Sequence, residues 1–270
     1  MNKMNYKRLK FLKVVLRTSY AFSYYKKPLK SILKWAVADT ENHNFLYPLT
    51  SLNMQYLMHF LSNSFDVSYE TVRVYIDEIL NDDILTKDLL NRMRLNRSPK
   101  DTFPYFGRRL GWYVIARILK PKIIFESGVY EGLGAIALIS ALKRNSTEGF
   151  PGKYIGTDIT MGSGGLLSKI DLEFGKIIIS DTALVINGLS EKIDLFISDG
   201  NHTSEFEWNE LNALSNKLSQ KSYVLSDNSH TSGVLAEWSV QNNRKFLFFK
   251  EEPDGHWYPG AGIGISIKDE

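Results

Sequence analysis

The sequence contains no cysteine among its 270 residues. This excludes a disulfide scaffold, thiolate metal sites and a cysteine nucleophile. No stretch approaches the roughly 18–20 consecutive apolar residues that a membrane-spanning helix needs. Acids are missing from residues 1–38, which carry ten Lys/Arg, whereas the remainder carries 23 basic and 30 acidic residues. The net charge of +3 therefore hides a basic arm, residues 1–38, joined to an acidic body.

The basic arm lacks the apolar core and the small-residue cleavage site of a secretory signal, so we expect it to be retained. Its apolar residues alternate with the charges in a way compatible with an amphipathic helix, which can lie on an anionic membrane surface. Packing against its own domain and a contact in a homo-oligomer are the alternatives. We expect a cytoplasmic protein with peripheral contact at the inner face of the membrane through residues 1–38. The acidic body argues against a nucleic-acid partner.

Residues 45–95 are predicted to be helical because their apolar residues recur at intervals of three and four. The first series is Leu52, Met54, Leu57, Met58 and Leu61, and the second is Val72, Val74, Ile76, Ile79 and Leu80. A polar break with a proline follows at residues 97–101. The sequence therefore predicts a basic helical extension and helical lead-in over residues 1–100 and a second domain over residues 101–270.

Strands and helices alternate from about residue 107. A helix is predicted at 108–119, and later helices at 135–143 and near 205–218. Strands are predicted at 123–125, 153–157, 176–179, 193–198, 223–226, 245–250 and 262–267. Such alternation indicates an α/β fold with a mostly parallel sheet and helices on both faces. Ligands bind such sheets at the carboxyl ends of the strands.

A glycine loop follows the first strand of this body, with Gly128, Gly132 and Gly134 in a G-x3-G-x-G pattern. Glycines permit positive φ angles and a close approach of the backbone to a cofactor at a helix N-terminus. The pattern also resembles the loop of short-chain dehydrogenases. Those enzymes place the loop near the chain start and need a later Tyr-x3-Lys, whose spacing occurs here only at residues 6–10. Glu126 suits the amino group of a methionine moiety, whereas it would repel a pyrophosphate.

The run from Phe125 to Gly134 resembles the first motif of the class I S-adenosylmethionine-dependent methyltransferases. The resemblance implies that this loop cradles the methionine part of the cofactor through Glu126, Gly128, Tyr130, Gly132 and Gly134. Asp158, which closes the second strand, matches the acid that binds both ribose hydroxyls, and a helix cap is the alternative. Ser180 and Asp181 match the adenine-contacting position, where a helix cap by Asp181 is also open.

The resemblance covers residues 103–267 and completes the predicted fold. The hairpin of strands 245–250 and 262–267 is similar to the antiparallel last pair of strands in this methyltransferase fold. We therefore expect a Rossmann-like, doubly wound, mostly parallel sheet with an antiparallel last strand, preceded by an α-helical N-terminal region.

Two further strands are followed by acids, Asp199 after the fourth and Asp227-Asn228 after the fifth. Two carboxylates and an amide oxygen form a hard oxygen set that suits Mg²⁺. The arrangement resembles the catechol O-methyltransferase-like and macrocin-type sugar O-methyltransferase groups. The resemblance implies that Asp199, Asp227 and Asn228 bind Mg²⁺, with Asp199 also beside the cofactor. The alternative is that the acids cap loops in a metal-independent methyltransferase.

The expected reaction is Mg²⁺-assisted transfer of a methyl group from S-adenosylmethionine to a hydroxyl of a sugar or glycan, as in polysaccharide biosynthesis. His202 is the candidate general base, since histidine titrates near neutral pH. A structural hydrogen-bonding role for His202 stays open, because Asn201 stands where the sugar-modifying group has an acid. Trp257 and Tyr258 could stack on a substrate ring or pack within the turn. A catechol-like or polyketide acceptor, and a non-catalytic cofactor-binding assembly module, are the alternatives.

Overall fold

The computed structural model describes residues 3–38, 46–96 and 103–268, with side chains from residue 10 onward except at 95 and 96. Its body is built on one seven-stranded sheet in the order β3-β2-β1-β4-β5-β7-β6. The strands are β1 (Ile123–Ser127), β2 (Lys153–Asp158), β3 (Gly175–Ile179), β4 (Ile193–Ser198), β5 (Leu218–Ser226), β6 (Lys245–Lys250) and β7 (Gly262–Ile267). Strands β1 to β5 run parallel, and β7 is antiparallel to both β5 and β6. The predicted fold class is confirmed.

Helices precede the sheet and cover both of its faces. They are α1 (Lys3–Ala36), α2 (Ser51–Phe65), α3 (Tyr69–Leu80), α4 (Asp83–Asn96), α5 (Arg109–Leu119), α6 (Leu133–Thr147), α7 (Thr182–Gly188), α8 (Ser204–Leu214) and α9 (Val234–Gln241). No helix among the described residues combines the length and the apolar character needed to cross a membrane. The short helices α7 and α9 were absent from the prediction, whereas the basic arm is helical as expected.

Two apolar cores lie on the two faces of the sheet. Strands β1, β4 and β7 are buried along nearly their whole length, as expected for strands covered by helices on both faces. On one face, residues of α2, α3, α5 and α6 form the larger core. On the other face, α7, α8 and α9 cover the stacked rings of Phe125 and Phe196.

The helical lead-in shares the larger core. Leu57, Leu61 and Ile76 are at most 3% exposed and belong to the same apolar cluster as the sheet. A salt bridge of 3.0 Å joins Arg117 of α5 to Glu78 of α3. Residues 97–101, where the sequence predicts a boundary, lie outside the described residues. The division at residue 100 stays a prediction, and helices α2 and α3 pack as part of the body's core.

The strand register brings four polar strand ends to one edge of the sheet. Ser127 of β1 pairs with Thr157 of β2 and with Ser198 of β4, and Ser198 pairs with Ser226 of β5. Backbone hydrogen bonds continue this alignment beyond the strands, from Asp199 N to Ser127 O (2.9 Å) and from Asp227 N to Ser198 O (3.0 Å). The residues that follow these strands therefore line one crevice, where parallel α/β sheets bind their ligands.

Candidate active site

One cavity of about 740 Å³ occupies this crevice. It is lined by the glycine loop, by residues 157–160 at the end of β2, by residues 199–202 after β4, and by Asp227 and His230 after β5. Residues from outside the sheet also line it, among them Arg108 and Arg109 at the start of α5 and Tyr258 of the β6–β7 connection. Predicted site residues that are far apart in sequence thus surround one space.

The glycine loop is held tightly against the loop that follows β4. Gly128 has φ of +82°, and a Cβ atom there would lie 2.1 Å from the carbonyl oxygen of Asp199. Gly132, with φ of +100°, caps the N-terminus of α6. Both positions therefore need glycine, for conformation and, at Gly128, for space. The loop leads its backbone past the cavity and into the positive end of α6.

Glu126 lies in the wall of the cavity and is 1% exposed. Its carboxylate accepts a hydrogen bond from the hydroxyl of Tyr154. Burial raises the pKa of Glu126 to about 7, against the opposing effects of the Tyr154 hydrogen bond and the charge of Arg109. Gly134 leaves room for this carboxylate, because a Cβ there would lie 2.4 Å from Glu126 Oε1. Among the described residues no cation contacts this carboxylate directly, and such a buried acid suits the ammonium group of a bound amino acid.

Asp158 holds the glycine loop from the neighbouring strand. Its carboxylate accepts hydrogen bonds of 2.8 Å from the backbone N–H groups of Tyr130 and Thr160. Burial acts to raise the pKa of Asp158, but these backbone hydrogen bonds outweigh it and leave the pKa below its ordinary value. No helix begins directly after Asp158, so the carboxylate is not a helix cap. Asp158 and Tyr130 both line the cavity at the predicted cofactor position.

The structure does not bring Ser180 and Asp181 to the wall of this cavity. Asp181 instead caps α7, since its carboxylate accepts a 3.0 Å hydrogen bond from Leu184 N. This cap is the alternative role given above for Asp181, and adenine contact by these two residues stays a prediction. Thr182, the first residue of α7, lines the cavity in their place. Its hydroxyl lies 2.8 Å from that of Thr157 and 2.9 Å from that of Ser127.

The guanidinium of Arg108 lies between the two acids that follow β4 and β5. Arg108 Nε contacts Asp227 Oδ1, and Arg108 Nη2 lies 3.9 Å from Asp199 Oδ1. Arg109 Nη2 lies 4.0 Å from the other oxygen of Asp199. Arg108 is 5% exposed, so these charges interact in a poorly solvated space.

Arg108 is held from behind by Glu251 at the end of β6. The carboxylate of Glu251 accepts hydrogen bonds from the backbone N–H of Arg108 (3.0 Å), the hydroxyl of Tyr47 (2.7 Å) and the backbone N–H of Ala261 (2.7 Å). Arg108 Nη1 also donates to the Tyr47 hydroxyl at 3.2 Å. This network fixes the guanidinium in its place between the acids.

The two acids differ in their preference for a proton. Burial and the nearby charge of Asp227 raise the pKa of Asp199. For Asp227 burial acts in the same direction, but the charges of Arg108 and Arg109 outweigh it and lower its pKa. The two acids together with Arg108 therefore form a locally neutral group when Asp199 carries the proton.

The type of ligand fits a divalent metal, since Asp199, His202 and Asp227 each offer one ligand atom and these atoms lie within 4.8 Å of one another. The position of Arg108 does not fit. A dication about 4 Å from a guanidinium is repelled by about 8 kcal/mol at an effective dielectric constant of about 20. These residues can accommodate a metal only if Arg108 moves away from both acids. That movement would also break the contacts of Arg108 in the network around Glu251. The predicted Mg²⁺ site stays a prediction that this arrangement opposes.

His202 stands at the same edge, in contact with Asn228. The ring Nδ1 of His202 lies against Asn228 Oδ1, and Asn228 Nδ2 donates to the carbonyl of Asn201 at 3.5 Å. A carboxamide oxygen only accepts hydrogen bonds, so Nδ1 carries the proton and Nε2 is left as the basic nitrogen. Asn228 thus orients His202, and it does not line the cavity itself.

Sequence reasoning missed the arginines and two buried acids under the strand ends. Glu210 of α8 accepts a hydrogen bond from Ser127 and a 2.8 Å hydrogen bond from Ser198, and Glu207 accepts one of 2.5 Å from Ser226. Burial raises the pKa of Glu210 to about 7, against the lowering effect of these hydroxyl groups. A signal was nevertheless available in the sequence. Glu207 and Glu210 lie three residues apart on a helix that otherwise faces the core, and three strands end in the serines that contact them.

The two aromatic candidates separate in the structure. Tyr258 lines the cavity and packs against Tyr47, with ring centroids 5.9 Å apart. Trp257 packs outside the cavity against Trp35 of α1 at 4.9 Å and against His256 at 5.4 Å. Of the two, Tyr258 is the one placed to contact a bound ring.

The sheet order, the glycine loop after β1 and the acids at the ends of β2, β4 and β5 define a Rossmann-like crevice at the carboxyl ends of the strands, where such folds bind their ligands. Residues 125–229 match the family model described as a methyltransferase domain. The match confirms the predicted class of enzyme, a methyltransferase. The narrower resemblance to the catechol-like or macrocin-type groups stays a prediction. No curated protein matches the sequence.

Solved structures of methyltransferases resemble this chain at low identity. The S-adenosylhomocysteine-bound methyltransferase PaMTH1 of Podospora anserina is 14% identical, with a TM-score of 0.48 over 84% of this chain and 100% of its own. The O-methyltransferase TomG of Streptomyces achromogenes is 13% identical, with a TM-score of 0.46 over 73% of this chain and 95% of its own. An O-methyltransferase of Bacillus cereus is 13% identical, with a TM-score of 0.46 over 73% of this chain and 100% of its own.

Proposed function

We propose that the protein is an S-adenosylmethionine-dependent O-methyltransferase that methylates a hydroxyl of a sugar or glycan. The observation that carries the proposal is the shared cavity, which is lined by the glycine loop with Glu126 and Asp158 and also by Asp227 and His202. Glu126 would bind the amino group of the cofactor, and Asp158 its ribose hydroxyls. The sulfonium methyl group and the acceptor oxygen would then meet between the two halves of the cavity.

His202 is proposed as the general base. Its Nε2 takes the hydroxyl proton while the acceptor oxygen attacks the methyl carbon and the carbon–sulfur bond breaks. The products are a methyl ether, S-adenosylhomocysteine and an imidazolium that releases its proton to solvent. Asn228 supports this role because its oxygen accepts the Nδ1 proton in both states of the ring. His230 is the second candidate on the cavity wall, with Nδ1 bonded at 2.7 Å to Asp227 O.

Magnesium assistance is not part of this proposal, because Arg108 lies where a metal would lie between the acids. The guanidinium supplies a fixed positive charge at that point without a metal. Asp227, with its pKa lowered, would accept a hydrogen bond from an acceptor hydroxyl and orient it toward His202. No step of the reaction then depends on a metal ion.

The acceptor class is proposed from the wall of the cavity beyond the cofactor position. That wall offers hydrogen-bonding side chains at Asn201, His202, His230 and Thr231 and aromatic rings at Phe206 and Tyr258. Several donors and acceptors beside aromatic rings suit a sugar, whose hydroxyls form hydrogen bonds while its C–H face packs on a ring. A catechol-like or polyketide acceptor would leave more of these polar groups without partners.

The test is turnover with methyl-labelled S-adenosylmethionine against nucleotide sugars, oligosaccharides and catechols, each with and without EDTA. We expect methylation of a carbohydrate that persists in EDTA. His202→Gln should lower kcat by about 10²–10⁴-fold, the range for a general base. His59→Gln is the matched control, because His59 stacks on Tyr69 away from the cavity. Activity that EDTA abolishes would refute the role of Arg108. An absence of cofactor binding at millimolar concentration would refute the enzyme itself, and cofactor binding without turnover would favour the assembly module.

A further inference from the structure

Helix α1 exposes the apolar side chains that a folded domain normally buries. Phe11 is 70% exposed, Phe22 54% and Leu33 67%. All large aliphatic and aromatic side chains from residue 10 to residue 33 are at least 39% exposed. A helix of 34 residues is about 51 Å long at about 1.5 Å per residue, so this apolar surface is extensive. Contiguous exposed apolar surface of this kind marks an interaction site.

The apolar residues form a stripe along one side of the helix. The stripe consists of positions separated alternately by four and three residues, namely Phe11, Val15, Thr18, Phe22, Tyr25, Leu29, Ile32 and Ala36. On an α-helix this spacing keeps the side chains on one face. The opposite side carries the charges Lys13, Arg17, Lys27, Lys30 and Lys34. Leu12, Leu16, Tyr20 and Tyr24 form a second exposed row at intervals of four, and this row lies on the same side of the helix as the charges.

Charge decides between the partners that such a helix could have. Residues 10–38 carry seven Lys/Arg and no acid. A second copy of the helix would bring seven more cations alongside without an acid to pair with them, which opposes self-association. An anionic lipid surface instead offers both negative headgroups for the lysines and an apolar layer for the stripe.

The attachment of α1 relates this surface to the cavity. Trp35, near the end of α1, packs on Trp257 with ring centroids 4.9 Å apart. The next residue, Tyr258, lines the cavity. The helix therefore meets the body next to a residue that lines the cavity.

We propose that α1 is a membrane-docking helix that lies in the headgroup region of an anionic lipid bilayer and holds the cavity mouth next to it. The stripe from Phe11 to Ile32 enters the boundary between headgroups and acyl chains, and the lysines of the opposite side stay at the level of the anionic headgroups. This inference does not depend on the reaction proposed for the cavity.

The experiment is co-sedimentation of the full chain with vesicles of phosphatidylcholine alone and of phosphatidylcholine mixed with phosphatidylglycerol. We expect partitioning onto the mixed vesicles, weaker binding at high salt, and little binding to phosphatidylcholine alone. Replacement of Lys13, Arg17, Lys27 and Lys34 by Gln should weaken partitioning about fivefold per cation, which corresponds to about 1 kcal/mol for each. Replacement of Phe11, Phe22 and Leu29 by Ser should abolish partitioning onto the vesicles.

A matched control removes the same charge from the body. Lys153, Lys176, Lys192 and Lys245 are exposed on the strands and loops of the sheet. Their replacement by Gln lowers the net charge equally and should leave partitioning within about twofold, since charges beyond about 10 Å of the surface are screened. Equal loss in this control, or equal binding to phosphatidylcholine vesicles, would overturn the proposal. So would a dimer in sedimentation equilibrium that the serine variant dissociates, because it would identify a second copy as the partner.

Discussion

The buried acid Glu126 makes a quantitative prediction about cofactor binding. Burial raises its pKa to about 7, so the carboxyl holds a proton over much of the neutral range when no cofactor is bound. The ammonium group of S-adenosylmethionine should bind the ionised form. By linkage, affinity must then rise with pH up to the pKa of Glu126 and level off above it.

The magnitude follows from that pKa alone. If only ionised Glu126 binds, the apparent Kd is the limiting value multiplied by one plus the ratio of protonated to ionised acid. That factor is about 33 at pH 5.5 and about 2 at pH 7, so the Kd should fall about 16-fold between them. The window ends at pH 7 because an α-amino group itself loses its proton near pH 7.7–8.0.

The assay is isothermal titration calorimetry with S-adenosylmethionine from pH 5.5 to pH 7, in two buffers of different ionisation enthalpy. The difference between buffers should show release of nearly one proton per cofactor at pH 5.5. Glu126→Gln keeps the shape of the side chain but not its charge, and should bind more weakly with a flat pH profile. A flat profile in the unmodified protein, or an unchanged slope in Glu126→Gln, would refute the assignment.

Three further predictions concern the stability of the site. Arg108→Met leaves buried acids without their partner and should lower the free energy of unfolding in urea by about 3–5 kcal/mol. The control Arg73→Met breaks only an exposed ion pair and should cost less than about 1 kcal/mol. Equal effects of the two variants would contradict the burial argument. Gly128→Ala should lower the melting temperature and abolish cofactor binding, because its Cβ would lie 2.1 Å from a carbonyl oxygen. The control Gly188→Ala, whose Cβ would have no atom within 4 Å, should do neither. Normal cofactor binding by Gly128→Ala would show that the loop can shift to accommodate the methyl group. Glu210 has a pKa raised to about 7, so the folded state binds more protons than the unfolded state between pH 4.5 and 7 and stability should fall as pH rises through that window. Glu210→Gln should flatten this part of the melting-temperature profile, and an unchanged profile would place the titration elsewhere.

The fold and the cofactor half of the site were predictable because their signals are local. Short apolar runs ending in glycine or an acid mark the strand ends, and parallel strands bring such ends together at one edge. Glu126, Asp158, Asp199 and Asp227 therefore lie around one cavity, as the sequence predicts. Helices α7 and α9 escaped prediction because they are only two turns long and carry few periodic positions.

The acid half of the site depended on contacts that no local pattern encodes. Arg108 binds Glu251 across 143 residues of sequence, and that contact fixes the guanidinium beside Asp227. From sequence alone, two acids and an amide after adjacent strands favour a metal, because the identity of the nearest cation is invisible. Likewise Asp181 has the residue type for adenine binding, but the start of α7 uses its carboxylate as a cap.

The same distinction holds for the basic arm. Its charge and its apolar spacing are properties of the sequence, and they were enough to predict an amphipathic helix. Whether the stripe packs on the body is a question of tertiary structure, since burial depends on which surfaces meet in space. The structure leaves the stripe exposed from Phe11 to Ile32 and joins the helix to the body through Trp35 and Trp257. Sequence thus determined which groups the protein has at each strand end and along α1, and tertiary structure alone decided which charges face one another and which apolar surfaces stay uncovered.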